Sequence, residues 1–298
     1  MTDITLLDGG MGQELVKRSG DQPTPLWSTQ VMLDHPGIVA AVHGDYFAAG
    51  ATVATANTYA ILRDRLRNAG IEERFDELHD LALTEAETAR AAHGAGRIAG
   101  AVGPIGASYR PDLHPEPAEA LAIYGEIIAL MAPRADILLG ETVVSVAHAR
   151  DFVTAALAGG KPVWVACSVD DEDGSRLRSG EPLAEAAAVA ADLGAAAVLA
   201  NCSAPEAMPA ALEAIAPAGL PYGAYANGFT QITKDFLKAS PTVDALSARR
   251  DMGPEDYADH VMTWIDHGAT IVGGCCEVGP AHIAEIARRL GAAGHTIT

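Results

Sequence analysis

Short apolar runs rich in Val, Ile, Leu and Ala recur along the chain. Each is followed by a Gly- or Asn-rich loop and then by a longer stretch whose apolar positions fall three and four apart. The short runs read as strands covered on both faces, the longer stretches as amphipathic helices. Eight strands are expected, starting near Ile4, Ala51, Arg97, Asp136, Lys161, Ala195, Leu220 and Ala269. Helices are expected at 34–49, 72–93, 117–132, 145–158, 181–193, 205–215, 255–267 and 281–290. Strict alternation implies parallel pairing. Eight units, close to the ~250 residues usual for the architecture, point to an α/β fold of the single (β/α)8 TIM-barrel kind over an open doubly wound sheet. No break in composition divides the chain, so one domain spanning 1–298 is expected. The longest irregular connection, 227–253 after the seventh strand, reads as a lid or rim loop.

In such a barrel the residues just past the strands share one face, so they can be read as a set. The sixth strand runs into Asn201-Cys202 and the eighth into Gly273-Gly274-Cys275-Cys276. Neighbouring side chains on a strand point to opposite faces. Cys275 and Cys276 therefore meet one ion only if the backbone bends, a freedom Gly273-Gly274 provides. Three thiolates converging from two strand ends suit zinc, whose catalytic sites commonly keep three protein ligands and an open fourth position. The spacing contains no C-x2-C pair, and a cysteine is commonly a small buried hydrophobe, so spacing alone leaves both a metal site and core packing open. Cys167 is expected in the core or behind the site. Asp8 in Asp8-Gly9-Gly10-Met11-Gly12 suits an ammonium, and the glycines let backbone N–H groups approach a carboxylate. Glu141, at the end of the fourth strand, is either a charge complementing a helix N-terminus or a ligand for an amine. The glycine cluster lacks the dinucleotide spacing and the acidic loop 170–174 lacks the EF-hand spacing. None of the ten histidines forms an HExxH or His-x-His pair.

Composition narrows the classes further. At 49% hydrophobic and 20% charged residues, with no apolar run near the roughly 18 residues of a membrane span, a globular protein without membrane association is expected. The N-terminus lacks a basic region followed by a long apolar stretch, so a cytoplasmic location is expected. Four cysteines, two of them adjacent, do not make a disulfide framework. A formal charge of −19 argues against a nucleic-acid partner, which needs clustered Lys and Arg. Small molecules are the expected partners, and a monomer or small homo-oligomer the expected state.

These motifs resemble those of the homocysteine S-methyltransferase family, the zinc-dependent enzymes that form methionine. The likeness covers nearly the whole chain. Asp8-Gly9-Gly10-Met11-Gly12 is similar to the opening motif, Ala49-Gly50-Ala51 through Thr55-Ala56-Asn57-Thr58-Tyr59 to the second-strand motif, and Asn201-Cys202 with Gly273-Gly274-Cys275-Cys276 to the two zinc motifs. The resemblance implies a homocysteine-binding barrel in which Cys202, Cys275 and Cys276 hold Zn2+. Asp8 and Glu141 would bind the substrate ammonium, and the Gly9-Gly10 backbone its carboxylate. Asn57 is placed with them on the homocysteine side. Trp27 is similar to a tryptophan beside the methyl donor in betaine-using members, where the alternative reading is a packing residue in a proline-rich loop. Tyr225 and Asn227 are placed with it on the donor side. At Glu277-Val278-Gly279 the chain departs from the basic or Thr-rich stretch of many members, next to the expected donor contacts.

The chemistry fits. A thiol of pKa about 8.5 is mostly protonated at neutral pH, and zinc deprotonates it. Three cysteinates around Zn2+ carry a formal net −1, and a substrate thiolate makes it −2, which keeps the sulfur nucleophilic. A small cationic sulfonium or quaternary ammonium is the natural donor, because transfer then dissipates charge of both signs. S-methylmethionine or S-adenosylmethionine is preferred. The chain lacks the extra length of betaine-using members and the folate or cobalamin modules of large methionine synthases. A betaine-dependent or other onium-dependent methyltransferase is the alternative. From another class come a zinc hydrolase, which wants a general base near the metal, and a non-catalytic thiol or metal binder.

Overall fold

The structure, a computed structural model, describes residues 2–21, 24, 26–230 and 248–298. The central part of the expected 227–253 lid, residues 231–247, lies outside the described residues.

Eight strands form where the apolar runs place them: β1 Asp3–Leu6, β2 Val53–Thr55, β3 Arg97–Val102, β4 Ile137–Val143, β5 Val163–Cys167, β6 Ala197–Asn201, β7 Tyr222–Tyr225 and β8 Ile271–Val272. All pair in parallel in the order β2-β3-β4-β5-β6-β7-β8-β1. The ring closes through a parallel bridge between Leu7 and Val53, where the Asp8 N–H donates to Val53 O at 3.2 Å and the Thr52 N–H to Leu6 O at 2.7 Å. This is the expected (β/α)8 barrel. A further strand, β9 Thr296–Ile297, lies beside Asp3–Ile4 at the opposite end of β1. Its two residues carry no apolar run, so no periodicity could have announced it.

The barrel strands read as continuous apolar runs because both faces are covered. Inward-facing Leu7, Val53, Leu139, Ala166, Leu199 and Ile271 pack with one another as an inner layer. The outer faces meet the helical ring. Ala186, Ala187 and Ala190 are buried on the helix Leu183–Leu193, and their small side chains let that helix sit close to the sheet.

The helices expected from periodicity are present as Ile38–Ala48, Phe75–His93, Pro117–Met131, Val146–Ala156, Leu183–Leu193, Met208–Ile215, Pro254–Asp266 and Pro280–Ala292. The first begins four residues later than expected because Gly37 adopts φ +87°, which interrupts the run. Three short helices were not expected: Met11–Ser19, Ser28–Asp34 and Arg63–Asn68. They sit in the loops after β1 and β2 and build up one side of the rim over the strand ends. No helix among the described residues is long and apolar enough to cross a membrane.

Candidate active site

The three cysteines meet. β6 ends at Asn201, and Cys202 turns off it with φ +48°, a left-handed conformation rare for a side-chain-bearing residue. The chain after β8 continues through Gly273-Gly274 into Cys275-Cys276, and the left-handed residue there is Glu277, φ +65°. The expected bend therefore exists, but neither glycine takes positive φ. They are needed for close approach, since a Cβ on Gly273 would come within 2.6 Å of the Leu7 Cβ and one on Gly274 would collide with Val278. Backbone bonds lock the turn in place: Cys275 N–H to Ala226 O at 2.9 Å, Gly228 N–H to Cys276 O at 2.8 Å and Gly274 N–H to Asp8 O at 3.0 Å.

The Sγ atoms of Cys202 and Cys276 are 3.8 Å apart and those of Cys275 and Cys276 3.9 Å, with all three within 4.8 Å of one another. A tetrahedral ion ~2.3 Å from each sulfur holds neighbouring sulfurs ~3.8 Å apart, so the cluster fits a metal bound by all three cysteines without rearrangement. Among themselves the thiols share protons. Cys202 is held well below the usual thiol range by hydrogen bonds from Cys275 and Cys276, and these two are pushed well above it, first through their bonds to Cys202. The Tyr109 hydroxyl lies 2.9 Å from the Cys202 sulfur. Cys167 stays apart, buried in β5 with its thiol pushed up to about 12 by burial, as a core residue should be.

Two buried carboxyl groups face the same space. Asp8 Oδ2 accepts from the Thr55 N–H at 2.7 Å and Oδ1 from the Thr55 hydroxyl at 2.8 Å. Burial nonetheless pushes Asp8 up to about 7, against the pull of those bonds. Glu141 is within β4 rather than past it. The β4–β5 register shifts between Gly140 and Val143, and Thr142 has φ +56°, so a bulge re-aims Glu141 into the barrel mouth. Burial pushes Glu141 up to about 8; the Tyr225 hydroxyl, donating at 2.8 Å, opposes this, and the charge of Asp8 adds to it. Among the described residues no Lys or Arg pairs with either acid. The nearest basic group, His43 Nδ1 at 3.8 Å from Asp8 Oδ2, is held neutral by burial, its pKa lowered to about 3. Both acids are therefore desolvated and face the cavity without a Lys or Arg partner among the described residues.

Sulfurs and carboxylates line one cavity of about 220 Å3 at the carboxyl ends of the strands, together with Gly9, Gly10, Trp27 and Asn57. A Cβ on Gly10 would sit 2.6 Å from the Cys275 carbonyl, and one on Gly12 would collide with the Trp27 ring, so both glycines are required for contact between rim segments. The Gly10 N–H is committed to Val278 O at 2.9 Å. Tyr225, assigned to the donor side, ends β7 pointing inward, and its hydroxyl is engaged by Glu141 at the acid end. Asn227, also assigned there, does not line the cavity: its Oδ1 folds back to accept the Phe229 N–H at 3.1 Å and shapes the turn after β7. Tyr59, Arg65, Ser108, Tyr109 and Phe229 line the cavity without having been singled out. Tyr59 belongs to the second-strand motif and was within reach; Arg65 sits on the short unexpected helix Arg63–Asn68, and Ser108, Tyr109 and Phe229 in irregular rim segments with no periodic signal.

The model of the family described as homocysteine S-methyltransferase matches residues 5–290. A homocysteine S-methyltransferase of Escherichia coli K12 is 29% identical, the match covering 96% of this chain and 95% of that protein. Homocysteine S-methyltransferase YbgG of Bacillus subtilis is 27% identical, over 95% and 93%. The crystal structure of the homocysteine methyltransferase MmuM from Escherichia coli in its metallated form superposes with a TM-score of 0.81 at 28% identity, covering 97% of this chain and 96% of that one. With the family model spanning nearly its full length and the barrel shared throughout, the chain belongs to the homocysteine S-methyltransferase family.

Proposed function

We propose that the protein transfers a methyl group from an onium donor, S-methylmethionine or S-adenosylmethionine, to the sulfur of L-homocysteine, giving methionine. The observation that carries this reading is the joint placement of a three-cysteine cluster and a buried acid pair in one cavity. Cys202, Cys275 and Cys276 would hold Zn2+, and the ion, when bound, would supply the positive charge that lets a thiol ionise at neutral pH. Asp8 and Glu141 would take the substrate ammonium. With the Gly10 N–H already used and the Glu14 N–H given to Gly10 O at 3.3 Å, the substrate carboxylate falls to the N–H groups of Gly9, Met11, Gly12 and Gln13, which meet no backbone acceptor among the described residues. Asn57 borders this end, with its amide turned to Ser28 O at 3.3 Å.

Transfer forms a bond between the homocysteine sulfur and the methyl carbon while the bond from that carbon to the donor heteroatom breaks. The electron pair leaves with the heteroatom, and both products are neutral at the reacting centre. The protein contributes alignment, thiolate stabilisation and exclusion of water. The Trp27 and Tyr59 rings line the same cavity, and an aromatic face attracts an onium that has no hydrogen to donate. The test is to load purified protein with zinc, incubate it with homocysteine and a donor panel that includes betaine, and measure methionine by mass spectrometry. Methionine from a sulfonium donor is expected. A protein that binds zinc and homocysteine but yields methionine from no donor would overturn the reading.

A further inference from the structure

The cavity carries one basic side chain among its lining residues. Arg65 projects into it from the helix Arg63–Asn68, while every other ionisable lining group is a carboxyl, a thiol or a phenol. The neighbouring arginines are spent at the surface: Arg63 pairs with Glu126 at 2.6 Å and Arg67 with Glu72 at 2.8 Å. Arg65 has no carboxylate partner among the described residues. Its Nη2 donates to the Pro104 carbonyl at 3.1 Å, and its Cζ lies 5.6 Å from the Tyr59 ring centroid. That leaves most of a guanidinium's five donors for a ligand.

The Tyr59 ring connects this arginine to the reacting end. Its hydroxyl meets the Ser108 hydroxyl at 2.7 Å, and the next residue, Tyr109, reaches the Cys202 sulfur at 2.9 Å. The cavity is thus polarised. Thiols and acids occupy the inner end, and a lone guanidinium marks the outer end with an aromatic face between. On the methyltransferase reading, homocysteine occupies the inner acids, which leaves no carboxylate lining the cavity for an amine on the second substrate. A ligand whose onium centre lies against the aromatic ring and whose negative group lies farther out matches this order.

We propose that Arg65 recognises the carboxylate of the methyl donor and so sets a preference for a donor with a free carboxylate over one whose carboxylate is masked. The inference rests on the proposed methyl transfer and adds to it a specificity-determining residue for the donor. A planar guanidinium gripping a carboxylate in a bidentate manner suits this role, and a lysine reproduces the charge without the fork.

The experiment compares S-methylmethionine with its methyl ester as donors to homocysteine, in wild type, Arg65→Lys and Arg65→Gln. Wild type should favour the acid over the ester by about 10- to 100-fold in kcat/KM, the size expected for a charged hydrogen-bonded pair. Arg65→Gln should raise KM for the acid by a similar factor, affect the ester far less and so collapse the discrimination; Arg65→Lys should retain part of it. Zinc content and homocysteine affinity, by titration calorimetry, should stay at wild-type values. Equal use of acid and ester by wild type would overturn the proposal, and that comparison needs no variant to fold. An unchanged KM for the acid in Arg65→Gln would also overturn it, leaving Arg65 as a tether for the Pro104 loop. No transfer from any donor by wild type would instead remove the methyltransferase reading and the donor subsite with it, an outcome distinct from the other two.

Discussion

Glu141→Gln should move stability and substrate binding in opposite directions. The variant keeps an acceptor for the Tyr225 hydroxyl, 2.8 Å away in wild type, and removes only the ionisable group. Burial raises the Glu141 carboxyl from the ordinary 4.5 to about 8. The folded state then holds its proton more tightly than the unfolded chain does. This stabilises the substrate-free protein fully below about 4.5, and the contribution is lost as pH climbs toward about 8. At ~1.36 kcal/mol per pH unit, the loss over that window is on the order of 5 kcal/mol, an upper figure because the barrel relaxes around a charged group. Melting temperatures of substrate-free wild type and variant, taken from pH 5 to 8.5, should diverge as pH rises, with the variant the more stable at the alkaline end. Homocysteine binding should respond in the other sense. Losing a charged partner for the ammonium costs roughly 2 to 4 kcal/mol, and ionising the wild-type acid at pH 7 offsets about 1 of this. The variant's Kd by calorimetry should therefore rise about 10- to 100-fold at unchanged zinc content. Parallel melting curves for the two proteins together with an unaltered Kd would refute the assignment of Glu141 to the ammonium.

Cys202→Ser, Cys275→Ser and Cys276→Ser should each lower bound zinc measured by elemental analysis, and Cys167→Ser should not, since its thiol is sealed within β5; full zinc in Cys276→Ser would sink the ligand set. Trp27→Ala should raise KM for a sulfonium donor much more than for homocysteine, with Trp27→Phe retaining part of the interaction. Because a Cβ on Gly12 collides with the Trp27 ring, Gly12→Ala should give the same donor-side defect; equal damage to both substrates together with a lowered melting temperature would make Trp27 a packing residue. Tyr109→Phe removes the hydroxyl 2.9 Å from the Cys202 sulfur and should shift the sulfur-to-metal charge-transfer band of the Co2+-substituted protein; an unmoved band would place that hydroxyl's effect elsewhere.

The barrel was legible because both of its periodicities are written plainly. A run such as Ala197–Asn201 is apolar throughout and bounded by loops, and Phe75–His93 carries a helical stripe over nineteen residues. What escaped is what depends on contacts distant in sequence. The helices Met11–Ser19, Ser28–Asp34 and Arg63–Asn68 are short and held by the rim they pack on. β9 exists because Thr296–Ile297 finds the free side of Asp3–Ile4. The cysteines were legible as a set from their places at two strand ends. Their convergence to 3.8–3.9 Å was not, because it rests on left-handed turns at Cys202 and Glu277 that no residue type announces.

Those two turns belong to a wider pattern. The described residues with side chains and positive φ are Trp27, Tyr109, Thr142, Cys202 and Glu277. The first four line the cavity, and the fifth directly follows Cys276. Each such conformation costs of order 1 kcal/mol or more and persists only where the surroundings impose it. Asp8 and Glu141 add a second cost, two buried carboxyl groups facing one cavity with no Lys or Arg paired to either among the described residues. Strain and unpaired acid therefore coincide at one end of a barrel whose remaining strands are apolar and regular. A fold optimised for stability alone would have placed glycine at the turns and apolar residues in place of the acids. An ammonium between Asp8 and Glu141 and a cation among the sulfurs would relieve the electrostatic part of this cost, so ligand binding and stability are linked at the same atoms. That linkage is why Glu141→Gln tests more than one residue. If the alkaline stabilisation appears without the loss of homocysteine affinity, the acid pair is strained for some other ligand; if both appear, the strain and the amino-acid site are the same feature.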